Sequence, residues 1–145
     1  MNEAQTLLML VQLYDANIEN MVEELQRLND IALKITSTMG GEVVSGTRTQ
    51  DKLGIAVSKL VDYADEINQL IGEYKEKKQA ISATIRKIEN PDQVKVLHKL
   101  YFECKPWKVI AQEMHMSERN AQYIHNDALI SFNRVLRGEG MRNEP

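Results

Sequence analysis

The sequence predicts an all-α protein: a long antiparallel helical hairpin, coiled-coil-like, followed by a small three-helix helix-turn-helix domain. Three observations carry that expectation. Two long stretches, 2–38 and 50–89, repeat apolar residues in alternating steps of three and four, the spacing of a heptad seam. A glycine-bearing stretch separates them. A later stretch, KPWKVIAQEMHMSERNAQYIHNDALISFNRVL (105–136), holds two shorter periodic segments around a tight turn. Proline and glycine are few, and no run of β-branched residues is bounded by turn signals, so strands are disfavoured.

Residues 2–38 contain neither Pro nor Gly. Ala4, Leu7, Val11, Tyr14, Ile18, Met21, Leu25, Leu28, Ala32 and Ile35 form their seam. Leu8, Leu10, Leu13, Val22 and Ile31 broaden it, which suits either a helix packed in a bundle or an intermolecular coil. Residues 39–49, MGGEVVSGTRT, are expected to form a loop, because Gly40, Gly41 and Gly46 admit backbone angles that other residues resist. A phosphate-binding loop using Arg48 is disfavoured, since the Gly-Lys-Ser/Thr ending and a preceding strand are missing. Residues 50–89 resume the heptads with Leu53, Leu60, Ile67, Tyr74, Ile81 and Ile88. Val57, Ala64, Ile71 and Ile85 stand four beyond four of these, and Lys77 and Lys78 interrupt the seam. The expected domains are a hairpin over 1–89, a helix-turn-helix domain over 90–137 and a flexible tail over 138–145.

Asn90-Pro91-Asp92-Gln93 reads as a helix start. Asn90 can cap, Pro91 suits the first helical position, Asp92 favours the positive helix end, and Gln93 can close a capping box. That helix is expected to reach about Glu103, with Val94, Leu97, Leu100 and Tyr101 on one face. The next would run from Pro106 to about Met114. The last would be capped by Ser117 and run to about Leu136, burying Ala121, Ile124, Ala128, Leu129 and Phe132.

Composition narrows function. The formal net charge is −3, unremarkable for a soluble protein and low for a nucleic-acid binder. It is unevenly divided: 10 basic and 14 acidic residues over 1–90, 8 basic and 7 acidic over 91–145. The single cysteine, Cys104, allows no internal disulfide. Leu7 to Leu13 is apolar but too short to cross a bilayer, and no basic region precedes it. A soluble, cytoplasmic protein without membrane association is expected. Cys104, His98, His115 and His125 match no paired zinc-ligand spacing, so neither metal nor cofactor is expected. No Ser-His or Cys-His pair stands in a pocket-forming context, so the chain is not read as an enzyme.

On a helix starting at Ser117, the residues pointing away from the apolar face are Glu118, Arg119, Asn120, Gln122, Tyr123 and Asn126. These suit base reading: Arg pairs bidentately with guanine, Asn and Gln suit adenine, and Glu accepts from cytosine. Lys105, Lys108, Ser117, Arg134 and Arg137 are the candidate phosphate contacts. Trp107 is expected to pack on Tyr101 or Phe132 rather than on a base. His125 falls at the edge of the core or near the DNA backbone.

The stretch from Asn90 to Leu136 resembles region 4 of bacterial sigma factors. There the first helix of the motif ends in an Ile-Ala pair, here Ile110-Ala111, before a short turn and a Ser cap, here Ser117. The chain is also similar to small phage and prophage proteins of Gram-positive bacteria, a broad group that includes ArpU- and RinA-type late-gene regulators. Those have a long helical part, then a leucine-rich helix, Tyr, Trp, Ile-Ala and Ser. Here these are Leu97, Leu100, Tyr101, Trp107, Ile110, Ala111 and Ser117. The match is specific over the last third of the chain and only architectural over 1–89. One departure is His115, where the turn commonly carries Gly. Because a positive φ costs a non-Gly residue roughly 1–2 kcal/mol, a turn of another shape is expected.

The resemblance implies a sequence-specific DNA-binding regulator of phage or prophage transcription, located in the bacterial host cytoplasm. It would read the major groove with the helix after Ser117, and the hairpin would dimerise or contact RNA polymerase. Its expected partners are double-stranded DNA, RNA polymerase and a second copy of the chain. The alternative is a protein-binding adaptor that grips RNA polymerase or another host protein through the sigma-like domain and the coiled coil.

Overall fold

A computed structural model describes residues 2–41 and 47–138, with 38–41 and 47–51 described by backbone alone. The described residues form five α-helices: α1 (Glu3–Gly41), α2 (Thr47–Arg86), α3 (Pro91–Leu97), α4 (Trp107–Glu113) and α5 (Glu118–Leu136). A π-helical segment, His98–Phe102, continues α3. No strand occurs among the described residues. No described helix is long and apolar enough to cross a membrane.

The stretch 39–49, expected to be a loop, is helical at both ends. α1 runs on through Gly41 and α2 begins at Thr47, because each residue added to an established helix gains a hydrogen bond. The centre of the loop, 42–46, and the Arg48 side chain lie outside the described residues, as does the tail over 139–145. Asn2 caps α1, its Oδ1 accepting from the Gln5 N–H at 2.8 Å.

Two compact units divide the chain: Met1–Asp15 with Lys75–Pro145, and Ala16–Tyr74. This differs from a division at residue 89, and the first unit's core gives the reason. Ala4, Leu8 and Val11 of α1, Ile81 and Ile85 of α2, Leu97, Tyr101, and Ala128, Leu129 and Phe132 of α5 form one buried cluster. The expected three-helix domain therefore does not bury its apolar face alone. The ends of the long helices complete it. A smaller core of Val96, Ile110 and Ala121 ties α3, α4 and α5 together, with Trp107, Met114, Met116 and Ile124 around it.

The lysines that break the second seam are accommodated in this unit. Lys78 forms an ion pair with Asp15, and Lys77 lies over the Tyr14 ring, 5.7 Å from its centre. In the second unit Leu28, Ile67 and Ile71 are buried, and Ile18, Met21, Leu25, Leu60 and Ala64 are partly buried around them.

Candidate nucleic-acid interface

Local chemistry sets the junction of α4 and α5. α4 ends with His115 at φ +57°, in the left-handed region. Two backbone bonds close that end: Met116 N–H donates to Ala111 O at 3.0 Å, and His115 N–H to Gln112 O at 3.3 Å. This corrects the expectation of another turn shape. His115 takes the conformation that glycine usually takes, and its cost is met by two satisfied carbonyls and by Met116 folding onto the Ile110 cluster. Ser117 then caps α5, its Oγ accepting from the Asn120 N–H at 3.0 Å.

α5 buries Ala121, His125, Ala128, Leu129 and Phe132. Glu118, Arg119, Asn120, Gln122, Tyr123 and Asn126 are all exposed. Arg119 and Tyr123 stand together: the Arg119 Nε and Nη2 donate to the Tyr123 hydroxyl at 3.2 and 3.1 Å. The guanidinium also lies 5.6 Å from the Tyr123 ring centre. Asn120 turns back, its Nδ2 donating to the Met116 sulfur at 3.7 Å.

The candidate phosphate contacts fall into three groups. Lys108 and Ser117 are exposed beside the turn, although the Ser117 hydroxyl oxygen already caps α5. Arg134 and Arg137 are exposed at the far end of α5. Arg134 is roughly 22 Å along the axis from Arg119 at 1.5 Å per residue. Lys105 is engaged instead. Its ammonium donates to both Glu113 carboxylate oxygens at 2.8 and 2.9 Å and pairs with Glu103 at 2.8 Å. Lys99 also pairs with Glu113. The hydrogen bond from Lys105 holds the Glu113 carboxyl below its ordinary range, and Lys99 adds to this. Lys105 in turn is raised, first by Glu103 and then by Glu113.

Beneath the exposed face lies one buried polar pair. Tyr101 OH and His125 Nε2 are hydrogen-bonded at 2.7 Å. Burial pushes the phenol up to about 12, so it keeps its proton and can donate to the imidazole. Burial also lowers His125 below its ordinary value, opposed by a hydrogen bond with the Asn126 side chain. Trp107 meets the His125 ring edge-on with centres 5.4 Å apart. Trp107 is thus a packing residue, but its partner is His125 rather than Tyr101 or Phe132. His125 itself is buried. No group of three or more His, Cys, Asp or Glu that could hold a metal ion occurs among the described residues. Cys104 is exposed and free.

Sequence reasoning missed the Tyr101–His125 bond and the Lys99–Glu113–Lys105 cluster. Both join residues far apart in the chain, and only His125's place between Ala121 and Ala128 hinted at burial.

A family model matches residues 34–133, well over half of the chain. The chain belongs to the family described as protein of unknown function (DUF1492). No curated protein and no solved structure matches it. The stretch shared with DUF1492 takes in α2, α3, α4, the capped turn and the exposed face from Glu118 to Asn126. Arg134 and Arg137 lie beyond it, as do Ala4, Leu8 and Val11.

Proposed function

We propose that this DUF1492 member is a sequence-specific DNA-binding regulator of transcription, of phage or prophage type, that reads the major groove with α5. The observation that supports this most is the capped turn. It presents the first turns of α5 with Arg119, Gln122, Tyr123 and Asn126 all exposed, while the opposite face is fixed in the core. The likeness of 90–136 to sigma factor region 4 supports the same reading. In it α1 and α2 form an antiparallel hairpin that dimerises or meets RNA polymerase.

The test is selection of bound duplexes from a random library at low ionic strength, followed by titration. Arg119→Ala and Gln122→Ala are each expected to weaken the selected site by ~1–3 kcal/mol. With Lys105 held by carboxylates, about three or four phosphates remain to be met. The log affinity then falls against log salt with a slope of about −2.7 to −3.6. Absence of any salt-dependent duplex binding overturns the proposal.

One observation favours the second reading, a protein-binding adaptor. Glu103 and Glu113 occupy Lys105 close to the turn, so the cations beside α5 are fewer than a duplex reader commonly offers. A partner retained from nuclease-treated host lysate, with no duplex selected, would establish that reading instead.

A further inference from the structure

Residues 75–87, KEKKQAISATIRK, hold five cations and one acid in a chain whose net charge is −3. Lys77 and Lys78 are directed at Tyr14 and Asp15. Lys75, Gln79, Ser82 and Arg86 follow at steps of four, three and four, which places them on one face of α2. Beside that face is an open depression of about 360 Å³ lined by Lys75, Lys78, Gln79, Ser82 and Phe102. Phe102 comes from the π segment, is half-buried, and packs on His98 with ring centres 4.9 Å apart. Arg86 stands one turn beyond Ser82 on α2: its Nη1 donates to the Ser82 Oγ at 2.8 Å, and its charge helps lower His98, which burial has already lowered. Lys75 is exposed, and among the described residues no ion pair engages it.

We propose that this depression docks a protein partner through an acidic peptide segment carrying one aromatic or large aliphatic side chain. The apolar side chain lies against Phe102, and the flanking carboxylates meet Lys75 and Arg86. Charge complementarity selects the class of partner: a cationic rim attracts carboxylates and speeds encounter. The aromatic wall then selects between anions. A duplex backbone offers phosphates but no apolar group to cover Phe102, whereas a peptide supplies both, with the apolar residue as its anchor. None of the lining residues belongs to α5, so the site is independent of base reading.

Selection of a phage-displayed random nonapeptide library on the immobilised full chain tests this. Recovered peptides are then synthesised and their binding followed by fluorescence anisotropy. Acidic sequences with a central Phe, Trp or Leu are expected. Their affinity should fall at least tenfold with Lys75→Glu, fall with Phe102→Leu, fall with added salt, and stay unchanged with Arg119→Ala. Thermal melts verify that both site variants stay folded. Failure to enrich acidic-apolar peptides, or equal binding by Lys75→Glu, overturns the proposal. So does a Lys75→Glu variant that instead flattens the salt dependence of duplex binding while no peptide is enriched. Loss of duplex binding with peptide binding intact would strike only the α5 reading.

Discussion

The two compact units share one heptad pattern and end with different cores. In the first unit Phe132, Leu8, Ile85, Leu97, Ile110, Val11 and Val96 are fully buried. In the second, Leu28, Ile67 and Ile71 each keep 5–8% exposure, and Leu25, Leu60 and Ala64 are only partly covered. The difference teaches what a seam needs. Two helices share one line of contact and leave each seam residue open on one side. Where α3, α4 and α5 add further walls, the same spacing gives complete burial.

The largest expected effect breaks the better-packed unit. Phe132→Ala should cost ~3–5 kcal/mol in urea denaturation, as truncation of a fully enclosed aromatic does. Ile71→Ala should cost about 2 kcal/mol, the low end for its class, because its surroundings already touch solvent. Equal losses would remove the distinction between the units.

Next is the cap within the first unit. Ser117→Ala leaves the Asn120 N–H without its acceptor and should cost about 1 kcal/mol. A change of similar size and opposite sign tests the second unit. Gly72 lies inside α2, and a Cβ built there meets nothing within 4 Å. Gly72→Ala should therefore add about 1 kcal/mol. The melting temperature would rise by about 2–4 °C if the chain unfolds in one step. A rise confined to one of two transitions would show that the units melt separately.

The smallest effect is a pH dependence assigned to the first unit. His125 is lowered from 6.5 by burial, so the folded state binds its proton less readily than the unfolded chain. Its contribution is complete above about pH 6.5 and is lost as pH falls from there through the folded value. His98 acts in the same direction. Glu103 and Glu113 are lowered from 4.5 and act only at more acidic pH. Melts between pH 7.5 and 5.5 should fall with acid, and less steeply in His125→Gln than in the parent chain.

What was legible in the sequence follows the range of the interactions. The heptads of α1 and α2 and the caps at Asn90 and Ser117 depend on neighbours within a few residues, and all four are present. Gln93 was expected to serve its own helix start. Its Oε1 instead accepts from Ser131 Oγ at 2.6 Å, a partner on α5 that no local pattern names. Lys78 reads as a break in the seam until Asp15 of the other long helix is placed beside it. The left-handed His115 escaped because sequence statistics assign that position to glycine, whereas a well-formed helix end holds it here. On the candidate face, exposure was legible from periodicity. The engagement of Lys105 was not, because its partner Glu113 is eight residues away at the far end of α4. The chain reaches Lys105 through Cys104, a second non-glycine residue with positive φ, at +54°.

The widened turn after α3 has a consequence for aim. From His98 to Phe102 the chain closes i→i+5 rings, as in the bond from Glu103 N–H to His98 O at 2.9 Å. It thus carries one residue more per ring than an α turn, and an α residue corresponds to about 100° of rotation. The path entering α4, and through it the bearing of α5, is offset by that surplus residue. Orientation of the outward face is in this sense a matter of counting: a one-residue deletion in this segment would swing it like a misindexed gear while leaving each helix able to form.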